Sequence, residues 1–260
     1  MTNKFHLLLL MLFVVCISCK KNKDLSPADL ISAIDNEIKV TPINHGSLVL
    51  NYEDVCIYVD PVGGSTSYVN EKSPDLILVT DIHGDHHSNE TLENISKIKT
   101  KIILPTAVSE KLVSSLKSKA VIINNLDSMT FDIEGTTIAI EAVPMYNLRE
   151  EALKFHPKGR GNGYIITLGE YRVYISGDTE DIPEMRGLKD IDMAFVCMNL
   201  PWTMPVNSAA SAVLDFKPKI VYPFHYRGTD GLSDVDEFKR LVQAKDSTIT
   251  VRLKNWYTNR

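Results

Sequence analysis

Three things are scarce in this chain of 260 residues: cysteine, concentrated basic charge and low-complexity sequence. The four cysteines leave no room for a disulfide framework, because Cys16 and Cys19 lie in an atypical N-terminal segment. Cys56 and Cys197 each sit inside an apolar, strand-like run, the setting of buried and inert thiols. Lysine and arginine form no stripe beyond Lys20, Lys21 and Lys23, and the net charge of -5 is mild, which argues against a nucleic-acid partner. No low-complexity stretch interrupts the chain, and 44% hydrophobic with 23% charged residues is ordinary globular composition.

The one long apolar run lies at the start. Lys4 and His6 precede residues 7–18, after which Cys19 and three lysines follow. This pattern predicts a signal peptide over 1–18, too short to span a bilayer comfortably. Small Ser18 before Cys19 resembles the lipobox of bacterial lipoproteins, with Cys16 where leucine is usual. The resemblance implies lipidation at Cys19, a tether over 19–26 and an exported protein anchored to a bacterial membrane, on the periplasmic side or the cell surface. Ordinary secretory cleavage and an uncleaved anchor are the alternatives.

The fold is expected over 27–260. Pro27 suits the first turn of a helix ending near Asn36. Strand-like runs follow at 38–43, 47–51 and 55–60, divided by turns at His45-Gly46 and Glu53-Asp54. A Gly-rich loop at 61–65 leads to a fully apolar strand at 75–80. Helices from Asn89 and over 107–117 alternate with strands at 101–104 and 120–123. The second half repeats this order, with hairpins about Glu134-Gly135 and Gly169-Glu170, strands at 192–197, 220–224 and 248–253, and helices at 208–216 and 233–244. Two β-rich halves that each end in αβ units predict an α+β protein with two sheets face to face and helices outside.

The chemistry concentrates directly after the apolar strand. Asp81, His83, Asp85, His86 and His87 place five potential metal ligands within seven residues, on a loop leaving the C-terminal end of a buried strand. Imidazole nitrogens and carboxylates together suit zinc and its first-row neighbours. His45, Asp178 and His225 also follow strands. Taken singly, each has an ordinary structural role open to it, as turn residue, helix cap or core histidine.

Taken together these residues resemble the metallo-β-lactamase superfamily, whose signature is H-x-H-x-D-H after a strand, a later Gly-Asp, and a final His at a strand end. The matching segments are Asp81-Ile82-His83-Gly84-Asp85-His86, Ser176-Gly177-Asp178 and Pro223-Phe224-His225, and the resemblance spans about Ile38 to Leu253. It implies an αββα four-layer sandwich, a metal site at one edge of the sheets, and metal-dependent hydrolysis. His156-Pro157-Lys158-Gly159, the run from Gly161 to Tyr164, and the pair Tyr146-Asn147 resemble hydrolases allied to the L-ascorbate-6-phosphate lactonases.

Two positions depart from the signature. Asp81 stands in place of its first histidine, and no histidine occupies 142–148. The resemblance then implies one metal position with Asp81, His83 and Asp178, completed by His156 or His87, and another with Asp85, His86, Asp178 and His225. Zinc is the expected metal, as one or two ions, with manganese or iron as alternatives favoured by the carboxylates. Asp85 is the expected catalytic residue, orienting the water that attacks an ester, lactone or phosphodiester. His45, Asn147, His156, Lys158 and Arg160 are expected to bind a small-molecule or lipid-like substrate. The competing reading is a non-catalytic metal-binding lipoprotein with a degenerate site.

Overall fold

The computed structural model describes residues 27–257. The expected signal peptide, the lipidation site Cys19 and the tether lie outside the described residues. Among those described, no helix is long and apolar enough to cross a membrane.

Helix α1 (Pro27–Glu37) leads into the antiparallel strands β1 (Ile38–Asn44), β2 (Ser47–Tyr52) and β3 (Val55–Val59). Strands β4 (Leu76–Leu78), β5 (Lys101–Leu104) and β6 (Ala120–Ile122) then add in parallel, giving a six-stranded sheet in sequence order. The crossovers carry α2 (Asn89–Ile95), α3 (Thr106–Ser109) and α4 (Ser114–Lys117). A second, seven-stranded sheet begins as the antiparallel run β7 (Ser128–Ile133), β8 (Thr136–Met145), β9 (Gly161–Leu168) and β10 (Tyr171–Ile175). It continues in parallel through β11 (Met193–Cys197) and β12 (Ile220–Phe224) to β15 (Thr250–Val251). Helices α5 (Pro183–Arg186), α6 (Val206–Phe216) and α7 (Val235–Lys245) connect these strands, and β13 (Arg227–Gly228) pairs with β14 (Gly231–Leu232) in a small hairpin.

Alternation along the strands builds the layers. Leu48 and Leu50, Ile57 and Val59, and Leu76 and Leu78 belong to the core that also holds Ile140, Ile166 and Val173 of the second sheet. Their neighbours Val49, Cys56, Tyr58, Ile77 and Val79 face the other way, into a separate cluster with Leu92, Ile95, Val108 and Leu116 of the first sheet's helices. Strands covered on both faces read as unbroken apolar runs, which is why 55–59, 76–78 and 193–197 stand out in the sequence.

The helix expected over 107–117 is two helices. Val113 is extended, with its N–H donated to Asn89 Oδ1 at 3.2 Å, while Asn89 Nδ2 donates to Lys111 O at 2.9 Å. One side-chain amide thus takes over a donor and an acceptor that a continuous helix would pair internally. The last strand is shorter than expected, and the β13–β14 hairpin was not anticipated. Cys56 and Cys197 are free and buried, as their apolar surroundings imply.

Candidate metal centre

Strands β4, β10 and β12 each belong to a parallel stretch, and the loops after their C-terminal ends carry the ligand-rich segments. Asp81 to His87 follow β4, Asp178 follows β10 and His225 follows β12. Open sheets collect binding groups at such ends. Tyr164 Oη on β9 donates to Val79 O at 2.8 Å, and Asn162 N donates to Thr80 O at 2.9 Å, tying the first ligand loop to the second sheet.

Two groups of side chains come together there. Asp85, His86, Asp178 and His225 each offer a ligand atom within 4.8 Å of the others, and so do Asp81, His83 and His156. Two atoms on one tetrahedral ion, each about 2.1 Å from it, stand about 3.4 Å apart. In the first group His86 Nε2 lies 3.3 Å from Asp178 Oδ2, and His225 Nε2 lies 3.3 Å from Asp85 Oδ2 and 3.5 Å from Asp178 Oδ1. Asp178 Oδ2 is also 3.3 Å from His156 Nε2, so this carboxylate joins the two groups. In the second group His83 Nδ1 lies 2.8 Å and His156 Nε2 4.0 Å from Asp81 Oδ2.

The buried polar atoms test whether a cation fits. His86 Nε2, Asp178 Oδ1 and His225 Nε2 are buried without a hydrogen-bond partner, an expensive arrangement for polar atoms unless they ligate something. All three converge on one point with the right chemistry, a carboxylate and two imidazoles. The residues therefore fit a divalent ion.

Charge is tuned to match. Burial works against ionisation of Asp178, but the neighbouring His225, His86 and His156 imidazoles outweigh it and hold the carboxyl well below its usual range. Asp85 is likewise opposed by burial and held far below that range by the adjacent His225 and His45 imidazoles. Burial disfavours protonated His86, yet Asp178 and Asp60 more than offset it and raise its basicity, a property that strengthens an imidazole ligand.

Asp60 was not singled out by the sequence. It is fully buried at the end of β3 and accepts from Thr80 N at 2.7 Å, Thr80 Oγ1 at 2.6 Å and His86 Nδ1 at 2.8 Å. Its hold on Nδ1 leaves Nε2 as the ligand atom. A carboxylate ending an otherwise wholly apolar strand was the available signal. Gly46 was also missed: a Cβ there would stand 2.8 Å from His225 Cδ2, so a larger residue would push the ring out of place.

The structure sorts the remaining candidates. His45 lines the cavity in front of the ligands with Nε2 3.5 Å from Asp85 Oδ2, and its Nδ1 pairs with Tyr257 Oη at 2.8 Å. Burial lowers its pKa. His156 lines the same cavity and offers its ligand atom to the group of Asp81 and His83, the position that it or His87 was expected to complete. His87 joins neither group. Asn147 is buried, and its Nδ2 donates to Ala152 O and Trp202 O while its Oδ1 has no hydrogen-bond partner. Lys158 is drawn away to Glu184 Oε1 at 2.8 Å and Tyr146 Oη at 3.3 Å. Arg160 is committed to Asp81, with Nε 3.0 Å from Oδ1 and Nη2 2.7 Å from Oδ2.

A two-sheet αββα scaffold with paired His/Asp ligand groups across a shared aspartate defines the class of metallo-β-lactamase-fold proteins. The family described as "Beta-lactamase superfamily domain" matches residues 39–225, more than half of the chain, and the chain belongs to it. A UPF0173 metal-dependent hydrolase of Methanosarcina mazei is 28% identical over 82% of this chain and 94% of its own length. Another from Pyrococcus horikoshii is 32% identical over 70% of this chain and 80% of its own length. A crystal structure described as a metal-dependent hydrolase from Parabacteroides distasonis is 42% identical, covers 84% of this chain and 92% of its own, and superimposes with a TM-score of 0.72. A metallo hydrolase from Ignicoccus hospitalis, at 21% identity and a TM-score of 0.70, shares the fold.

Proposed function

We propose that this metal-dependent hydrolase holds one ion tightly at Asp85, His86, Asp178 and His225, and a second more weakly at Asp81, His83, His156 and the shared Asp178. The observation that carries the reading is the convergence of both ligand groups on the buried Asp178 carboxylate. The tight position has two carboxylates; at the other, Arg160 already neutralises Asp81.

A divalent ion in such a site lowers the pKa of water toward roughly 7 and acts as a Lewis acid on a carbonyl or phosphoryl oxygen. The chain's own groups do the rest. Asp85 is ionised and keeps its side chain 42% exposed toward the cavity, so it can accept a hydrogen bond from a water molecule and orient it. Tyr257 Oη accepts from the backbone N–H groups of Tyr226 and Arg227, so its own proton goes to His45 Nδ1. His45 thereby presents Nε2–H to the cavity, where it donates to developing negative charge. An ester, lactone or phosphodiester of a small or lipid-like molecule is the substrate this chemistry supports. Export and anchoring through Cys19 belong to the same proposal, resting on the N-terminal pattern.

Elemental analysis of the chain starting after Cys19 tests the reading. One ion per chain is expected to survive dialysis and a second to bind in excess metal. His225→Ala should lose the tight ion and Asp81→Ala only the weak one. Hydrolysis of esters or phosphodiesters should vanish in Asp85→Ala. A wild-type chain that binds no metal would sink the proposal.

A further inference from the structure

The expected anion-binding cations are all spoken for. Lys158 is paired with Glu184, Arg160 with Asp81, and nearby Arg149 with Glu180 at 2.7 Å. The cavity of about 380 Å³ in front of the ligands nevertheless carries an arginine at its rim, Arg227, which enters no ion pair among the described residues. It was not selected from the sequence, which predicts no element between the strand at 220–224 and the helix at 233–244.

Arg227 is mounted with care. Its guanidinium carbon stands 4.1 Å from the centroid of the buried Tyr257 ring, and its backbone N–H donates to Tyr257 Oη at 2.9 Å. Stacking on an aromatic face holds a guanidinium in place while leaving its edge donors available. The adjacent Gly228 runs against the loop before Trp202 so closely that a Cβ would meet Leu200 O at 2.1 Å, and Thr229 N–H donates to that oxygen at 3.2 Å. Trp202 N–H in turn donates to Asn199 O at 3.0 Å. Arg227 and Trp202 are thus fixed relative to one another on locked backbone, and Phe155 adds a second half-buried aromatic wall.

We propose that Arg227 is the anion clamp of this site, which selects substrates bearing a carboxylate or phosphate group separate from the bond that is cleaved, with an apolar portion against Trp202 and Phe155. The proposal rests on the hydrolase reading for the position of the reacting bond. The clamp supplies a fork of N–H donors suited to either anion. Pre-fixing it on Tyr257 reduces the ordering cost of binding.

The test uses uncleaved probes on zinc-loaded protein, read by calorimetry. Succinanilate carries an anilide and a carboxylate, its phosphonate analogue carries the other anion, and butyranilide is the neutral counterpart. At least one anionic probe is expected to bind about tenfold or more tightly than butyranilide, the scale of one charge-assisted pair, and the tighter of the two identifies the anion. Arg227→Gln should abolish that preference, and Arg227→Lys should restore part of it. Equal affinity for anionic and neutral probes in the wild type, or a preference that survives Arg227→Gln, would overturn the clamp. Metal content, measured separately on the same samples, shows whether the hydrolase reading has failed instead.

Discussion

Replacing Asp60 by Asn tests how the site sets the ligand face of His86. The change is nearly isosteric, but the Asp60 carboxylate receives three hydrogen bonds: Thr80 N–H to Oδ1, and Thr80 Oγ1 and His86 Nδ1 to Oδ2. Asn offers one oxygen. If that oxygen keeps the Thr80 N–H, the new NH2 faces His86 Nδ1 and drives the imidazole proton to Nε2, the atom that must ligate. If the amide turns over, the Thr80 N–H is buried against another donor, at a cost of roughly 1–3 kcal/mol. Either way metal affinity is expected to fall by roughly 10–100-fold, which corresponds to about 1.4–2.8 kcal/mol. Competition with a chromogenic chelator measures it, with circular dichroism to confirm the fold. Thr80→Val removes a neighbouring hydroxyl without forcing the tautomer and should cost less. An Asp60→Asn dissociation constant within about twofold of wild type would refute the reasoning.

Arg160→Met leaves the buried Asp81 carboxylate without its cation, so the metal-free protein should lose roughly 3 kcal/mol and regain more stability on adding zinc than wild type does. Thermal unfolding with and without zinc checks this, and an unchanged zinc-dependent shift would contradict it. Burial pushes the Cys56 and Cys197 thiols up to about 12. The folded state therefore holds these protons in the window from the thiols' ordinary value of 9.0 up to about 12, and their contribution to stability declines as pH rises through it. In the chain starting after Cys19, Ellman's reagent near neutral pH should find both thiols only after unfolding; rapid reaction in the folded protein would count against their burial.

The layers were legible because alternation and unbroken apolar runs are local properties. Val55–Val59 reads as a two-faced buried strand from its five residues alone. The ligand cluster after β4 was legible for the same reason, with five ligating side chains in seven residues. What escaped were relations between distant positions. The break after Ser109 depends on Asn89, 24 positions from the Val113 N–H that it caps. Asp60 acts on His86 across 26 positions, and Tyr257 on His45 across 212. Lys158 and Arg160 showed as cations on a Gly-rich loop, but their carboxylate partners are 26 and 79 positions away. Composition displays a charge; only packing shows whether it is already neutralised.

That distinction also bears on the first position of the signature, where Asp81 stands in place of histidine. A neutral imidazole in place of Asp81 would leave the charge of the two positions to the metal ions, Asp85 and Asp178. A lone carboxylate there would add one negative charge, draw the ion more tightly and weaken it as a Lewis acid. Arg160 cancels that charge through two donors, at 3.0 and 2.7 Å. Asp81 and Arg160 together are thus electrically equivalent to the histidine they replace. The guanidinium engages both carboxylate oxygens, and Asp81 Oδ2 also stands 2.8 Å from His83 Nδ1. The substitution and the arginine that accompanies it therefore form one device, and neither residue is expected to be tolerated without the other.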